Sequence, residues 1–255
     1  MGRSLVFCAV VVLVGSGCFL PLSASAPQSA TTVGARQAGV TAYVEFPSPD
    51  LGGTISDREM KISPSLSGVA QVAYGLTDTL DLELGAEGML YLFIVPVPTG
   101  LSAGGRYQFL EGGEVDAAFA GRLGWTGFSA TVNGEEHWIR SRYAMLSISG
   151  QRAAGTFRPG AALSLVPAAV EFNVDGASGN RWALTASATV NLAFDFGAFE
   201  LTPYIGGVFF TGDAVSRPTL FPQGGLALAL RGQKTRPEPE ALVKETPAPA
   251  PPPSL

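Results

Sequence analysis

The stretch Arg181–Phe196 reads RWALTASATVNLAFDF, and its alternation of apolar and polar residues decides the fold class. Successive side chains of an extended strand point to opposite faces, so this pattern predicts a strand with one apolar and one polar face. A strand of a soluble protein usually has about 5–6 residues, whereas a tilted strand needs about 9–11 to cross the hydrocarbon of a membrane. The stretch is therefore long enough to cross a membrane and to continue beyond it. Its apolar face carries Trp182, Leu184, Ala186, Ala188, Val190, Leu192, Phe194 and Phe196.

Similar alternation recurs along the chain. Leu80–Glu87 places leucines on one face and acidic residues on the other, and comparable segments cover Ile62–Tyr74, Leu101–Phe109, Val115–Trp125 and Phe199–Phe210. Weaker segments lie near Val40, Arg140, Ala161 and Leu226. Together they predict about ten strands in one all-β domain, a single antiparallel, up-and-down transmembrane β-barrel.

The connections between these segments fall into two classes. Short ones are predicted at Gly75–Asp78, Leu110–Gly113 and Gly197, and long ones at Ser48–Asp57, Thr126–Glu136, Asp175–Asn180 and Thr211–Pro222. Short periplasmic turns and longer outer loops are typical of membrane barrels. This alternation places both termini on the periplasmic side.

Both ends of the chain differ from the barrel region 33–231. Arg3 and the apolar run Leu5–Val14 predict a signal peptide, cleaved either after Ala26 (residues 1–26) or before a lipidated Cys18 (residues 1–17). Residues 27–32 are predicted to be a flexible linker. The proline-rich residues 232–255 are predicted to be a disordered tail, either inert or able to reach a periplasmic partner.

The chain resembles small bacterial outer-membrane β-barrel proteins over roughly Val33–Arg231. The resemblance is carried by the leader, the period-two strands and turns such as Tyr74–Asp78 and Thr202–Gly207. It implies outer-membrane lipid and the barrel assembly machinery as partners, and the outer membrane as the location. The chain departs from the family at the predicted last strand, Gly224–Leu230, which has no aromatic residue.

Composition excludes several classes of chemistry. A net charge of -5 without clustered basic residues argues against a nucleic-acid partner. Both cysteines lie in the leader region and His137 is the only histidine, so neither a metal site nor a cofactor is predicted. We expect no enzyme activity; the less favoured alternative is a barrel-embedded lipid hydrolase that uses His137 with Glu135 or Glu136 and a serine.

Charged residues of both signs fall on the polar face of the predicted strands and are expected to line the lumen. Opposite charges can pair across a narrow barrel and close it, or they can form a selective lining for small polar solutes. These residues are Asp81, Glu83, Glu87, Arg106, Asp116, Arg122, Arg181, Asp195 and Glu200.

The segment Met89–Pro98 (MLYLFIVPVP) breaks the alternation and is apolar on both faces. We predict an outer loop or strand edge here, with Leu92, Phe93 and Ile94 as possible contacts of a hydrophobic ligand or of the barrel mouth.

The functional prediction is a structural or narrow passive-transport role in the outer membrane. The alternative is a soluble periplasmic, lipocalin-like barrel that binds an apolar ligand. That alternative requires Leu82, Leu84, Leu184 and Leu192 to point inward, and Asp81, Glu83 and Thr185 to point outward.

Overall fold

A computed structural model describes residues 29–46, 51–55, 58–62, 66–91, 95–132, 135–153, 155–174, 177–213 and 218–231. Twelve β-strands lie in these ranges, and no helix in them is long and apolar enough to span a membrane. The strands are β1 (Ala38–Phe46), β2 (Leu51–Ile55), β3 (Arg58–Ile62), β4 (Leu66–Gly75), β5 (Leu80–Tyr91), β6 (Val95–Leu110), β7 (Val115–Val132), β8 (Glu135–Arg152), β9 (Phe157–Val174), β10 (Ala177–Asp195), β11 (Phe199–Thr211) and β12 (Thr219–Arg231).

Ten of these strands form one closed antiparallel barrel, which confirms the predicted fold class and strand number. Strands β4 to β12 follow one another around the wall, and β1 closes it. Ala42 of β1 pairs with Ala70 of β4 on one side and with Leu228 of β12 on the other. Strands β2 and β3 form a separate hairpin in the β1–β4 connection. Closure satisfies the backbone groups of the wall, as lipid requires.

Two predicted outer loops are largely strand. Strand β7 runs on to Val132 and β8 starts at Glu135, so most of Thr126–Glu136 is paired. The predicted loop Asp175–Asn180 likewise shortens, because β10 starts at Ala177. The prediction was wrong because it took polar residues as a sign of a loop. A strand that rises above the membrane has water on both faces, so it needs no apolar alternation.

Other boundaries also differ from the prediction. Strand β2 starts at Leu51 within the predicted loop Ser48–Asp57. Strand β12 starts at Thr219, so the last strand contains Phe221, which the predicted strand Gly224–Leu230 left out. The segment Met89–Pro98 is mostly strand, since β5 reaches Tyr91 and β6 starts at Val95.

Pro96 and Pro98 fit within β6 because this part of the strand has one partner. Pro96 pairs with Leu90 and Pro98 with Gly88, both on β5. Pairing between β6 and β7 starts only at Gly100. A proline has no N–H to donate, so it is tolerated where one side of a strand is unpaired.

Side chains alternate between the lumen and the outer surface along each strand. In β5, Asp81 and Glu83 are buried, whereas Leu82 and Leu84 are 51% and 65% exposed. Thr185 of β10 is likewise buried and Leu192 is exposed. This orientation is opposite to the one that the lipocalin-like alternative requires, so the structure does not favour that alternative.

Candidate functional site: the barrel lumen

Glu83 is the centre of an ion-pair cluster in the lumen. It lies on β5 and contacts both Arg106 of β6 and Arg122 of β7, with 2.9 Å between Arg122 Nη2 and Glu83 Oε2. Gly104 lies between Glu83 and Arg122 in the register, and a Cβ there would approach the Arg122 Cβ to 3.0 Å. The nearest atom to that Cβ would be the Gly121 backbone oxygen at 2.1 Å, so the glycine permits the close approach of β6 and β7 across which the arginine reaches the carboxylate.

A second ion-pair cluster lies near the short turns. Arg158 of β9 contacts Glu200 of β11 and Asp195 of β10, with 3.0 Å to Asp195 Oδ2. Asp195 and Glu200 are a cross-strand pair around the Phe196–Ala198 turn. Without Arg158, two like charges would face each other there, so the arginine stabilises this end of the wall.

Two tyrosines reach across glycines to carboxylates nearer the other end. Tyr143 pairs with Gly124, and its hydroxyl donates a hydrogen bond to Glu87. Tyr204 pairs with Gly225 in the same manner, and its hydroxyl lies 3.2 Å from Glu45 Oε1. A Cβ at either glycine would lie within 2.5 Å of the facing tyrosine side chain. Each tyrosine ring thus fills the space over its glycine.

The chain before β1 enters the lumen. Residues 29–32 belong to the segment that was predicted to be a flexible linker, but Ala30 and Thr32 are only 1% and 2% exposed. The Thr32 amide and hydroxyl donate to Gln108 Oε1 at 3.1 and 2.9 Å. The Val33 amide donates to Asp81 at 3.0 Å. A Ser/Thr/Ala composition predicts flexibility, whereas here the short side chains fit between the walls of the barrel.

Away from Arg158 and Asp195, the lumen face of β8–β10 carries hydroxyl groups beside an apolar cluster that includes Met145 and Val166. Ser147, Ser164, Thr185 and Thr189 are buried, and their side-chain oxygens have no hydrogen-bond partner in the described part of the chain. A buried hydroxyl without a protein partner is expected to bind water. This side of the lumen is therefore suited to hold water.

A small cavity lies between the N-terminal segment and Asn191 of β10. It has a volume of about 30 Å3 and is lined by Ser29, Ala30, Tyr43, Asn191 and Glu200, among other residues. A space of this size accommodates water or a small ion rather than an organic ligand.

The structure places most of the predicted lumen charges inside the barrel. Arg181 is an exception, since it is exposed near the outer end of β10, where it pairs with Val170 of β9. Asp195 lies at the opposite end with its side chain 39% exposed. Cys18, Leu92, Phe93 and Ile94 lie outside the described residues. The buried predicted residues are Asp81, Glu83, Glu87, Arg106, Asp116, Arg122 and Glu200.

Sequence reasoning missed several interior residues. Glu45 follows Thr41 and Tyr43 on the polar face of a short strand, so alternation was available as a signal. Arg158 is the second residue of β9, directly after a turn, so too few strand residues precede it for an alternation of side chains to be recognised. Gln108 carries no charge, so the charge pattern of the strands gives no signal for it.

The one histidine of the chain lies on a strand of the wall. His137 lies near the outer tip of β8, paired with Ala130 of β7. In the described part of the chain, no three His, Cys, Asp or Glu side chains converge as metal ligands.

The outer surface of the barrel is an apolar band. Leu101, Leu123, Leu146 and Leu163 are each at least 59% exposed on four successive strands, β6 to β9. Aromatic pairs lie near the short turns, with ring centroids 4.6 Å apart for Phe109–Phe119, 5.3 Å for Phe157–Phe194 and 4.7 Å for Phe196–Phe199.

A second aromatic level marks the other boundary of this band. Trp125 and Trp182 lie on one cross-strand row, through Arg142 of β8 and Ala169 of β9. Trp182 and Phe194 are 12 residues apart on β10, which at ~3.3 Å per residue and a tilt of ~45° corresponds to ~28 Å along the membrane normal. That height matches an apolar band of ~25 Å between aromatic girdles. The fold is a membrane-spanning β-barrel of the outer-membrane type. Its wall is closed, its polar side chains point inward, and its apolar side chains form this band on the outside.

Comparison with known proteins finds similar structures but no similar sequences. No protein-family model and no curated sequence matches the chain. The barrel is similar to the outer membrane protease OmpT from Escherichia coli (TM-score 0.40, 7% identity, 76% of this chain and 94% of that chain). It is also similar to Neisserial surface protein A (0.34, 8%, 76% and 97%) and to Ail, the attachment invasion locus protein of Yersinia pestis (0.33, 11%, 77% and 98%).

Proposed function

We propose that the chain is a non-enzymatic outer-membrane barrel with a structural role and a lumen that is closed at rest. The single observation that carries the proposal is the Glu83 cluster, in which two arginines from neighbouring strands converge on one carboxylate inside the barrel. Paired charges of this kind fill a narrow lumen and hold its walls together. An open aqueous pore would instead leave charged side chains in contact with water.

The partners that we propose follow from the same architecture. Lipid of the outer membrane surrounds the apolar band, and the barrel assembly machinery inserts the chain. The chain enters β1 and leaves β12 at the end with the short turns, which we assign to the periplasm. A periplasmic partner of residues 232–255 and lipidation of Cys18 are further proposals.

Fractionation followed by electrophysiology tests this function. The full chain is expressed in a Gram-negative host, and the outer-membrane fraction is compared on gels with and without boiling. We expect a band whose mobility changes on boiling, and insertion into planar bilayers without steady conductance. A soluble periplasmic species would contradict the location, and a permanently open channel would contradict the closed lumen.

A further inference from the structure

The strongest unused feature is the N-terminal segment, here defined as residues 29–33, which crosses the lumen. Its Val33 and Thr32 contact Asp81 of β5 and Gln108 of β6. At its other end, the Ser149 hydroxyl of β8 donates to the Ser29 carbonyl at 3.3 Å. Strands β5 and β8 are three positions apart in the ten-stranded wall. The segment therefore bridges separate parts of the wall.

A tight turn directs the chain into the lumen. Gly34 and Arg36 have positive φ values of 95° and 58°, which reverse the chain before β1. The Arg36 amide donates to the Gly75 carbonyl at 2.8 Å, and the Gly75 amide donates to the Gln37 carbonyl at 2.9 Å. A Cβ at Gly75 would lie 1.8 Å from the Gly34 oxygen, so only glycine permits this approach. The turn is thus fastened to the end of β4.

Above the segment, the lumen face of one strand carries a row of polar residues, which we call the polar lane. It consists of Thr185, Ser187, Thr189 and Asn191 on the lumen face of β10. Its outermost member, Thr185, lies between the buried Val166 of β9 and the buried Phe210 of β11. The cavity between Asn191, Glu200, Ser29 and Ala30 joins the lower end of this lane to the N-terminal segment. The segment therefore lies between the lower end of this lane and the periplasmic end of the barrel.

The charge of the lumen is unbalanced. Among the described residues, buried carboxylates outnumber buried arginines six to three. An excess of one sign in a narrow, low-dielectric passage attracts ions of the other sign and repels its own. The carboxylates are Glu45, Asp81, Glu83, Glu87, Asp116 and Glu200, and the arginines are Arg106, Arg122 and Arg158.

We propose that the N-terminal segment is a resident plug, and that its displacement opens the polar lane to small hydrated monovalent cations. This inference rests on the proposed function, because it requires a membrane-inserted barrel that is closed at rest. The plug adds to the closure by the Glu83 cluster, since the Arg106 guanidinium also donates to the Thr31 carbonyl at 3.0 Å. The Glu83 cluster fills the lumen beside β5–β7, and the plug closes the polar lane on β10.

Two variants of the full chain test the plug in planar bilayers with a KCl gradient. Deletion of residues 29–33 should produce discrete conductance steps with a reversal potential shifted toward the K+ equilibrium value. Gln108→Leu removes the acceptor of two plug hydrogen bonds and should increase the open time about ten-fold. Ser102→Ala is the matched control, because Ser102 faces the same lumen from β6 and its hydroxyl has no hydrogen-bond partner among the described residues.

The outcomes separate the plug from the proposed function. Variants that insert with a heat-modifiable band but conduct no more than the wild type would overturn the plug and leave the closed barrel standing. Anion-selective steps would overturn the cation lane. If the deletion variant fails to insert, the open time of Gln108→Leu decides whether residues 29–33 act as a plug. Absence of the wild-type chain from the outer membrane would overturn the proposed function itself.

Discussion

The pairing of a tyrosine ring with a glycine on the next strand is a tight residue-scale contact of this barrel. A Cβ at Gly124 would lie 2.2 Å from Tyr143 Cζ, whereas one at Gly121 on the same strand would lie 3.8 Å from its nearest neighbour. Gly124→Ala should therefore destabilise the barrel by about 1–3 kcal/mol, because the ring must move. The heat-modifiability transition on gels measures this cost. Gly121→Ala is the control, and an equal loss there would refute the steric argument.

The Glu83 cluster gives a second prediction at the residue scale. Glu83→Gln leaves Arg106 and Arg122 buried without their shared carboxylate, which should cost about 3–5 kcal/mol. Glu171→Gln breaks the pair with Arg142, whose side chain is 72% exposed, and should cost only about 0–1 kcal/mol. Denaturant titration in detergent compares the two variants. Equal effects would mean that the lumen is fully solvated around Glu83.

Strand β9 tests the membrane assignment at the scale of an element. Leu163 points outward and pairs with Ala188, midway between Trp182 and Phe194 on β10. Leu163→Arg should cost about 2–4 kcal/mol, because the charge would lie at the bilayer midplane. Leu76→Arg, at an exposed turn position, should change stability by at most about 0.5 kcal/mol. Folding titrations in lipid vesicles measure both, and a neutral effect at Leu163 would contradict the lipid-facing band.

Closure of the barrel leads to a prediction for the whole molecule. Arg231 is the last residue of β12 and pairs with Gly39 of β1, so a chain that ends there retains every strand pair of the wall. Truncation after Arg231 should leave the heat-modifiable band unchanged. Truncation after Pro218 removes β12 and leaves β1 and β11 with unpaired edges, which lipid does not tolerate. If truncation after Arg231 removed the folded band, residues 232–255 would instead have a role in assembly.

The sequence predicted the membrane-spanning parts of the strands but not the residues at which the longest strands end. Alternation located β5 and β10 and the inward direction of Asp81 and Glu83, because the side-chain period of a strand is a local property. It did not locate the ends of β7 and β8, since those strands leave the membrane and lose the apolar face on which the prediction depended.

The sequence by itself determined that the chain forms long two-faced strands, and hence an all-β barrel with charged residues inside. Only the tertiary structure decided which charges meet. Glu83 and Arg122 are separated by 39 residues, and Thr32 and Gln108 by 76. Such contacts depend on the register between strands and on the curvature of the closed wall. Neither quantity is encoded in a local period, which is why the contacts of residues 29–33 with the lumen wall became visible only in the folded barrel.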